Sequence, residues 1–363
     1  MSIQQQFPDV HWVWEGGISF VYEVHPRIVV KVPISEEFER EQFQHELKVY
    51  EIFSRSPPCP SIVQCFLYTD NGIFLEYMRD GPLCLRIQHN HTCDPETRVV
   101  TKVDRLESLA LRKEWMNDIT QAVAFLESLN LAHGDLRPEN ILLDGDRLKL
   151  SDFDCTAELG TDFEACTAPY GRILNGGEVD QGERGSPGVL GPRTEQFALG
   201  SIFYFINYGF EVYRNQCVTE NPRDWGIKVM DLLQDMKFPT LDGEPLIDDI
   251  IDKCWHNKYA TIAELSTTTK KLFLERNNEI DINTEATPLS ESATDKAIQT
   301  EAVNSENPDG FGSDIGQDHS PEDFCSKREF CQSLEKRGLL ELLSSGEPKE
   351  LGFPLNFYRY SKN

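Results

Sequence analysis

His133-Gly134-Asp135-Leu136-Arg137-Pro138-Glu139-Asn140, followed by Ser151-Asp152-Phe153-Asp154, carries the densest chemistry in this 363-residue chain. It sets two carboxylates, Asp135 and Asp152, and one amide, Asn140, at a spacing that suits phosphoryl transfer. That reaction asks little covalent help of a protein. It needs a positioned acceptor and cations that hold the triphosphate while charge moves toward the leaving oxygen. Asp135 suits the first task, and Asn140 and Asp152 offer the hard oxygens that magnesium prefers. A lone Asp followed by an Asn is by default a solvated surface pair, so the pattern gains weight only from partners elsewhere.

Upstream, residues 12–31 alternate apolar and polar around Gly16-Gly17 and are rich in β-branched and aromatic residues, which predicts a hairpin sequence. From Glu36 to Phe53, apolar residues at Phe38, Phe43, Leu47, Val49, Tyr50 and Phe53 follow a helical period that stops before Pro57-Pro58. Two further extended runs, Ile62–Tyr68 and Gly72–Tyr77, end at a Gly81-Pro82 break that marks a lobe boundary. Downstream the pattern turns helical. Glu114–Leu129 is amphipathic through Trp115, Ile119, Val123, Leu126 and Leu129, while Glu195–Tyr208 is apolar enough to be a helix buried all round.

Acids outnumber bases 61 to 35, for a formal charge of −26, which argues against a nucleic-acid partner bound through its phosphates. The first ten residues hold no basic segment followed by an apolar run, and no stretch of about 18 consecutive apolar residues occurs, so no membrane association is expected. Ten cysteines are scattered singly, the usage of reduced thiols, which predicts a cytoplasmic or nuclear protein. His89, His91 and Cys93 have no second paired set at zinc spacing and read as an ordinary loop. Residues 277–320 hold ten acids against the single base Lys296 and too few large apolar groups to offset ordering, so an acidic disordered linker is expected there. Apolar residues return from Pro321 (Phe324, Phe330, Leu334, Leu339, Leu340, Leu342, Leu343), and 321–363 is expected to be a helical segment that docks back on its own lobe, the alternative being a partner's surface.

Taken together, residues 12–275 resemble a eukaryotic-type protein kinase domain, nearest in character to small fungal kinase-like proteins. The resemblance implies an α+β, bilobal fold: a small β-rich N-lobe over about 12–80 and a larger helical C-lobe over about 81–275. The kinase catalytic loop reads His-Arg-Asp-Leu-Lys-Pro-Glu-Asn, and His133–Asn140 matches it at six of eight positions, with Arg137 keeping the charge of the Lys. By that likeness Asp135 accepts a hydrogen bond from the acceptor hydroxyl, Arg137 stabilises the migrating phosphoryl group, and Asn140 and Asp152 hold magnesium. Lys31 in Ile28-Val29-Val30-Lys31 then grips the α and β phosphates of ATP, with Glu46 on the following helix as its ion-pair partner. Leu75-Glu76-Tyr77-Met78 resembles the adenine hinge, where backbone groups of Glu76 and Met78 meet the purine and Leu75 is the gatekeeper. Val21, Val29 and Leu142 sandwich the ring.

Several positions depart from the pattern. The family's three glycines fall at Trp14, Gly16 and Ser19, so only Gly16 survives, joined by Gly17. Asp154 replaces the Gly of Asp-Phe-Gly, losing its backbone freedom and adding charge, which predicts reduced turnover. Gly134 stands where an arginine often pairs a phosphorylated loop, so switching by loop phosphorylation is not expected. Ser186-Pro187-Gly188 lacks the acid of Ala-Pro-Glu, and Tyr259 stands where its basic partner belongs. Glu195 takes the place of the Asp that opens the central helix. The favoured expectation is a serine/threonine kinase acting on a protein substrate. The alternatives are a pseudokinase scaffold and a small-molecule kinase of the aminoglycoside or choline type, since His-Gly-Asp and Asp-Phe-Asp also resemble those families. Oligomeric state has no signature in the sequence.

Overall fold

A computed structural model describes residues 3–34, 36–162, 168–171, 188–284 and 321–353. The short helix α1 (Ile3–Gln6) leads into strands β1 (His11–Glu15), β2 (Ser19–His25) and β3 (Ile28–Pro33), then helix α2 (Glu37–Ser54) and strands β4 (Cys65–Thr69) and β5 (Gly72–Glu76). The strands form a five-stranded antiparallel sheet in the order β1-β2-β3-β5-β4. The extended run expected from Ile62 becomes strand only at Cys65, because Ile62 instead bridges to Leu150 of the second lobe.

Successive side chains of a strand point to opposite faces, and β3 shows what that does here. Val29 joins the core shared with α2 and the second lobe, while Ile28, Val30 and Val32 join a separate core on the other face. All six residues of β3 are buried because the sheet is covered on both sides. The outer cover comes from both ends of the chain: Ile3 and Phe7 at the start, then helices α9 (Pro321–Lys336) and α10 (Leu339–Leu343) with Cys331, Leu334, Leu339, Leu340, Leu343 and Phe353. Gly72, the first residue of β5, makes room for this cover, since a Cβ there would lie 2.6 Å from Leu340 Cδ2.

The second lobe begins with β6 (Gly81–Pro82) and α3 (Leu83–Gln88), followed by the hairpin β7 (His91–Cys93) and β8 (Val100–Val103). Helix α4 (Leu109–Ser128) starts ahead of the expected Glu114 because Ser108 caps it, accepting the Leu111 amide. Then come β9 (Leu131–Ala132), β10 (Ile141–Asp144), β11 (Arg147–Leu150), β12 (Ala157–Glu158), α5 (Pro192–Tyr208), α6 (Trp225–Gln234), α7 (Pro245–Trp255) and α8 (Ile262–Thr284). Helix α5 is buried at every residue from Arg193 to Asn207, as its unbroken apolar composition requires. It approaches α7 where Gly200 has no side chain; a Cβ would lie 2.8 Å from that of Cys254. Glu127 at the end of α4 accepts the amides of Ile262 (2.8 Å) and Ala263 (2.9 Å), capping α8 with a carboxylate.

Two expectations need correction. His91 and Cys93 lie in the β7–β8 hairpin rather than a loop, and the His91 imidazole bonds the Gly209 carbonyl at 2.8 Å. Among the described residues no group of three His, Cys, Asp or Glu side chains is placed to hold a metal. Helix α8 continues to Thr284, into the stretch expected to be disordered from 277; residues 285–320 and 354–363 lie outside those described. Among the described residues no helix is long and apolar enough to cross a membrane.

Candidate active site

β3, α2 and the segment after β11 bring three charges from distant parts of the chain to one point. Lys31 Nζ lies 2.7 Å from Glu46 Oε2 and 2.6 Å from Asp152 Oδ1. One ammonium cannot fully balance a buried carboxylate at Glu46 and a half-buried one at Asp152, and their protonation divides accordingly. Burial pushes Glu46 up to about 7, against the pull of Lys31. Asp152 is held below the usual carboxylate range by the Lys31 charge and hydrogen bond, in spite of its own burial. Both acids raise the Lys31 ammonium against the opposing effect of burial, so Lys31 stays charged.

Asp152 is fixed by backbone as well as charge. Its φ of 65° is left-handed, a conformation that persists only where the surroundings enforce it. Next to it, Phe153 is fully buried, edge-on to Phe53 (5.1 Å) and Tyr50 (5.7 Å) of α2, and 5.5 Å from the His133 ring. Phe153 therefore ties the helix bearing Glu46 to the loop bearing Asp135. Asp154 is not left-handed, so the chain accepts a side chain where the kinase pattern has glycine. Burial, then the Asp152 charge, raise its carboxyl above the usual range.

The loop between β9 and β10 is a closed hydrogen-bond network. Asn140 Nδ2 donates to the Asp135 carbonyl and to Asp135 Oδ2, both at 2.9 Å, and Arg137 Nε lies 3.1 Å from the same oxygen. The Ser151 amide and hydroxyl both donate to the Asn140 carbonyl at 2.9 Å. His133 Nε2 donates to the Ser151 carbonyl (3.0 Å), so its Nδ1 is the acceptor for the Asp135 amide at 3.3 Å. Glu195 completes the network from α5, accepting the amides of His133 (2.8 Å) and Gly134 (3.4 Å). Gly134 is left-handed at φ 79°, and a Cβ there would meet the Cys155 carbonyl oxygen at 2.6 Å.

At the lobe junction Val29, Leu75, Tyr77 and Met78 are buried in the shared core, with Val21 and Leu142 packed at its edge. Val21, Val29 and Leu142 are the residues expected to sandwich the adenine, and Leu75 the expected gatekeeper. Gly16 and Gly17 occupy the β1–β2 turn, where the Gly16 amide donates to the Ser19 carbonyl (2.9 Å) and a Cβ on Gly17 would meet nothing within 4 Å. The structure thus joins Lys31, Glu46 and Asp152 in one network and Asp135, Arg137 and Asn140 in an adjoining one.

Other functional contacts escaped sequence reasoning. Glu76, expected to act through its backbone, also turns its carboxylate to Lys149 Nζ at 2.6 Å in a buried pair, with Arg147 at 3.6 Å. The sequence signal was there: Lys149 alternates with Leu148 and Leu150 in a strand that ends the lobe junction. Tyr259, standing where the basic partner of the kinase pattern belongs, bonds instead to Gln196 of α5: Gln196 Nε2 donates to Asn257 Oδ1 (2.8 Å) and the Tyr259 carbonyl (2.9 Å), and Gln196 Oε1 accepts the Tyr259 amide (3.1 Å). Ser186 and Pro187 lie outside the described residues.

Comparison with known proteins places this geometry in context. A family model described as "Protein kinase domain" matches residues 15–261. MAP kinase-activated protein kinase 2 of Oryctolagus cuniculus is 26% identical over 212 residues, covering 55% of this chain and 53% of that protein. "Probable serine/threonine-protein kinase FMP48" of Saccharomyces cerevisiae is 26% identical over 225 residues, 56% of this chain and 58% of that protein. "Mitogen-activated protein kinase kinase kinase mom-4" of Caenorhabditis elegans is 25% identical over 271 residues, 71% of this chain and 44% of that protein. The chain spans about half the length of the curated relatives it matches.

Proposed function

The chain belongs to the protein kinase domain family, and from that premise we propose that it is an ATP-dependent phosphotransferase of the serine/threonine class, acting on a protein substrate. The single observation that carries the proposal is Lys31 bridging Glu46 and Asp152 beside the Asp135–Asn140 loop. The family uses ATP and a divalent metal generally. Magnesium suits the donors here: a carboxylate of lowered pKa at Asp152, and an Asn140 whose NH2 is spent on Asp135, leaving its amide oxygen as a hard donor. When bound, the metal offsets negative charge on the phosphates.

The residues then divide the work. Lys31, charged and already facing the acids, orients the α and β phosphates. Asp135 accepts the hydrogen bond of the acceptor hydroxyl and takes its proton late, while Arg137 beside it stabilises the migrating phosphoryl group. Arg137 in that place favours serine or threonine over tyrosine. Val21, Val29 and Leu142 enclose the adenine, Glu76 and Met78 meet its edge through their backbone, and Gly16-Gly17 allow close approach to the phosphates. Unpaired thiols, nine of them among the described residues, support a cytoplasmic or nuclear setting.

The test is ADP release from Mg-ATP alone, with generic protein substrates, and with aminoglycosides or choline, for the wild type and for Lys31→Met and Asp135→Asn. Turnover with protein, lost in both variants, supports the proposal. Turnover confined to a small alcohol sinks it. Thermal stabilisation by Mg-ATP without turnover favours the scaffold reading, for which Asp154 and the reduced glycine turn already speak.

A further inference from the structure

The outer face of the N-lobe sheet is not left to solvent. Helices α9 and α10 and the segment after them lie on it, and their contacts are mostly rings and aliphatic chains: Phe324 on Phe66 (5.8 Å), Phe330 on His25 (5.5 Å), Phe353 on Tyr22 (5.2 Å), and Leu340 over Gly72. Cations add to these contacts, with Lys327 over the Phe66 ring and Arg337 over the Phe7 ring at 4.7 Å. Arg337 donates to the Gln6 carbonyl and Gln6 Nε2 donates back to the Arg337 carbonyl, both at 3.2 Å. Docking of this kind is driven mainly by apolar burial.

The strand beneath is one residue thick. Val30 and Val32 of β3 belong to the core under α9 and α10, while Lys31 between them faces Glu46 and Asp152. On β4, Phe66 lies under α9 with Lys327 above its ring at 5.5 Å, while neighbouring half-buried Cys65 packs against the core on the other face, its thiol raised by burial and then by the nearby Glu46 charge. The covering helices and the phosphate-gripping lysine therefore share β3 from opposite sides.

We propose that residues 321–353 are an intramolecular activating cap: docked, they hold β3 and β4 so that Lys31 meets Asp152, and undocked, they leave the nucleotide site incompetent. The proposal deepens the nucleotide-site reading above and rests on it. In two-state terms, docking biases the N-lobe toward the arrangement that binds Mg-ATP.

The test uses the full chain. Leu334→Ala/Leu343→Ala weakens the cap's apolar face and leaves the C-lobe core untouched. Mg-ATP affinity should fall roughly tenfold, the change expected when the competent state drops from dominant to about one in ten. A synthetic peptide of residues 321–353 should restore it. Lys31→Met should cost affinity in the wild-type background and little more in the cap variant, which a merely structural role would not produce. Gly72→Ala provides a second route, since its Cβ pushes on Leu340 without removing core atoms; a folded Gly72→Ala protein should show a several-fold loss in the same direction. Unchanged affinity in folded cap variants, or strictly additive losses with Lys31→Met, would overturn the proposal. A wild type that binds no Mg-ATP refutes the nucleotide-site reading first, and the cap's role falls with it.

Discussion

The carboxylate of Glu195 accepts the backbone amide of His133 at 2.8 Å, so the loop that carries Asp135 hangs from the central helix of the C-lobe. Glu195 is buried, and burial raises its carboxyl above the usual range against the pull of His133 and the two amides. Glu195→Ala leaves two amides without their acceptor, at about 1–3 kcal/mol for each one left unsatisfied. Thermal melts should record that loss. Turnover should fall further, roughly a hundredfold, because Asp135 loses its fixed position; equal activity in a folded variant would show that the bond positions nothing.

Gly134 cannot be returned to the arginine of the kinase pattern without penalty. Its left-handed φ and the Cys155 carbonyl 2.6 Å from any Cβ both oppose a side chain. Gly134→Ala and Gly134→Arg should each destabilise the protein by about 1–2 kcal/mol or more in urea unfolding. A neutral Gly134→Arg would mean that the loop relaxes away from Cys155.

Lys149 and Glu76 form a buried pair at the lobe junction, 4% and 10% exposed, so removing only one partner strands a charge. Lys149→Met should cost on the order of 3 kcal/mol, the low end for a broken buried pair because Arg147 stays nearby. Lys149→Met with Glu76→Leu should recover much of it. If the double variant is as unstable as the single one, packing and not charge explains the loss.

Asp118 on α4 gives the pH dependence its sign. Burial, then the neighbouring Glu114, push its carboxyl up to about 6. A carboxyl raised on folding contributes stability below its unfolded value, near 4, and that contribution is lost as pH rises through about 6. Asp118→Asn should therefore stabilise the protein by on the order of 1–3 kcal/mol at pH 8 and make no difference at pH 4. Melting curves at the two pH values check it; a gain at pH 4 would reverse the assignment.

Much of this was legible in sequence because it is periodic or dense. The alternation of β3, the all-round apolarity of α5, and the spacing of Lys31, Glu46, Asp135, Asn140 and Asp152 each leave a local signature, and the structure brings those five residues to adjoining networks. What escaped depends on contacts between distant segments. Nothing in Leu334 or Leu340 states that its partner is the outer face of a sheet 300 residues earlier. The apolar run Ile28-Val29-Val30 carried a hint, since a strand buried on both faces needs a cover on each. The Glu76–Lys149 pair left only a one-sided hint, since Lys149 sits between Leu148 and Leu150 but nothing beside it points to Glu76 in a distant strand. The start of α4 was misplaced for a local reason, the Ser108 cap standing ahead of the first clear apolar period.

The most direct measurement is transfer of labelled γ-phosphate from Mg-ATP to a mixed serine/threonine peptide pool, comparing the wild type with Lys31→Met, Asp135→Asn and Asp152→Asn. Label should appear on serine or threonine with the wild type and fall at least roughly a hundredfold in every variant, the scale set by losing a general base or a phosphate clamp. Transfer that survives Asp135→Asn and Asp152→Asn undiminished would contradict the convergence of these side chains on one reacting phosphate.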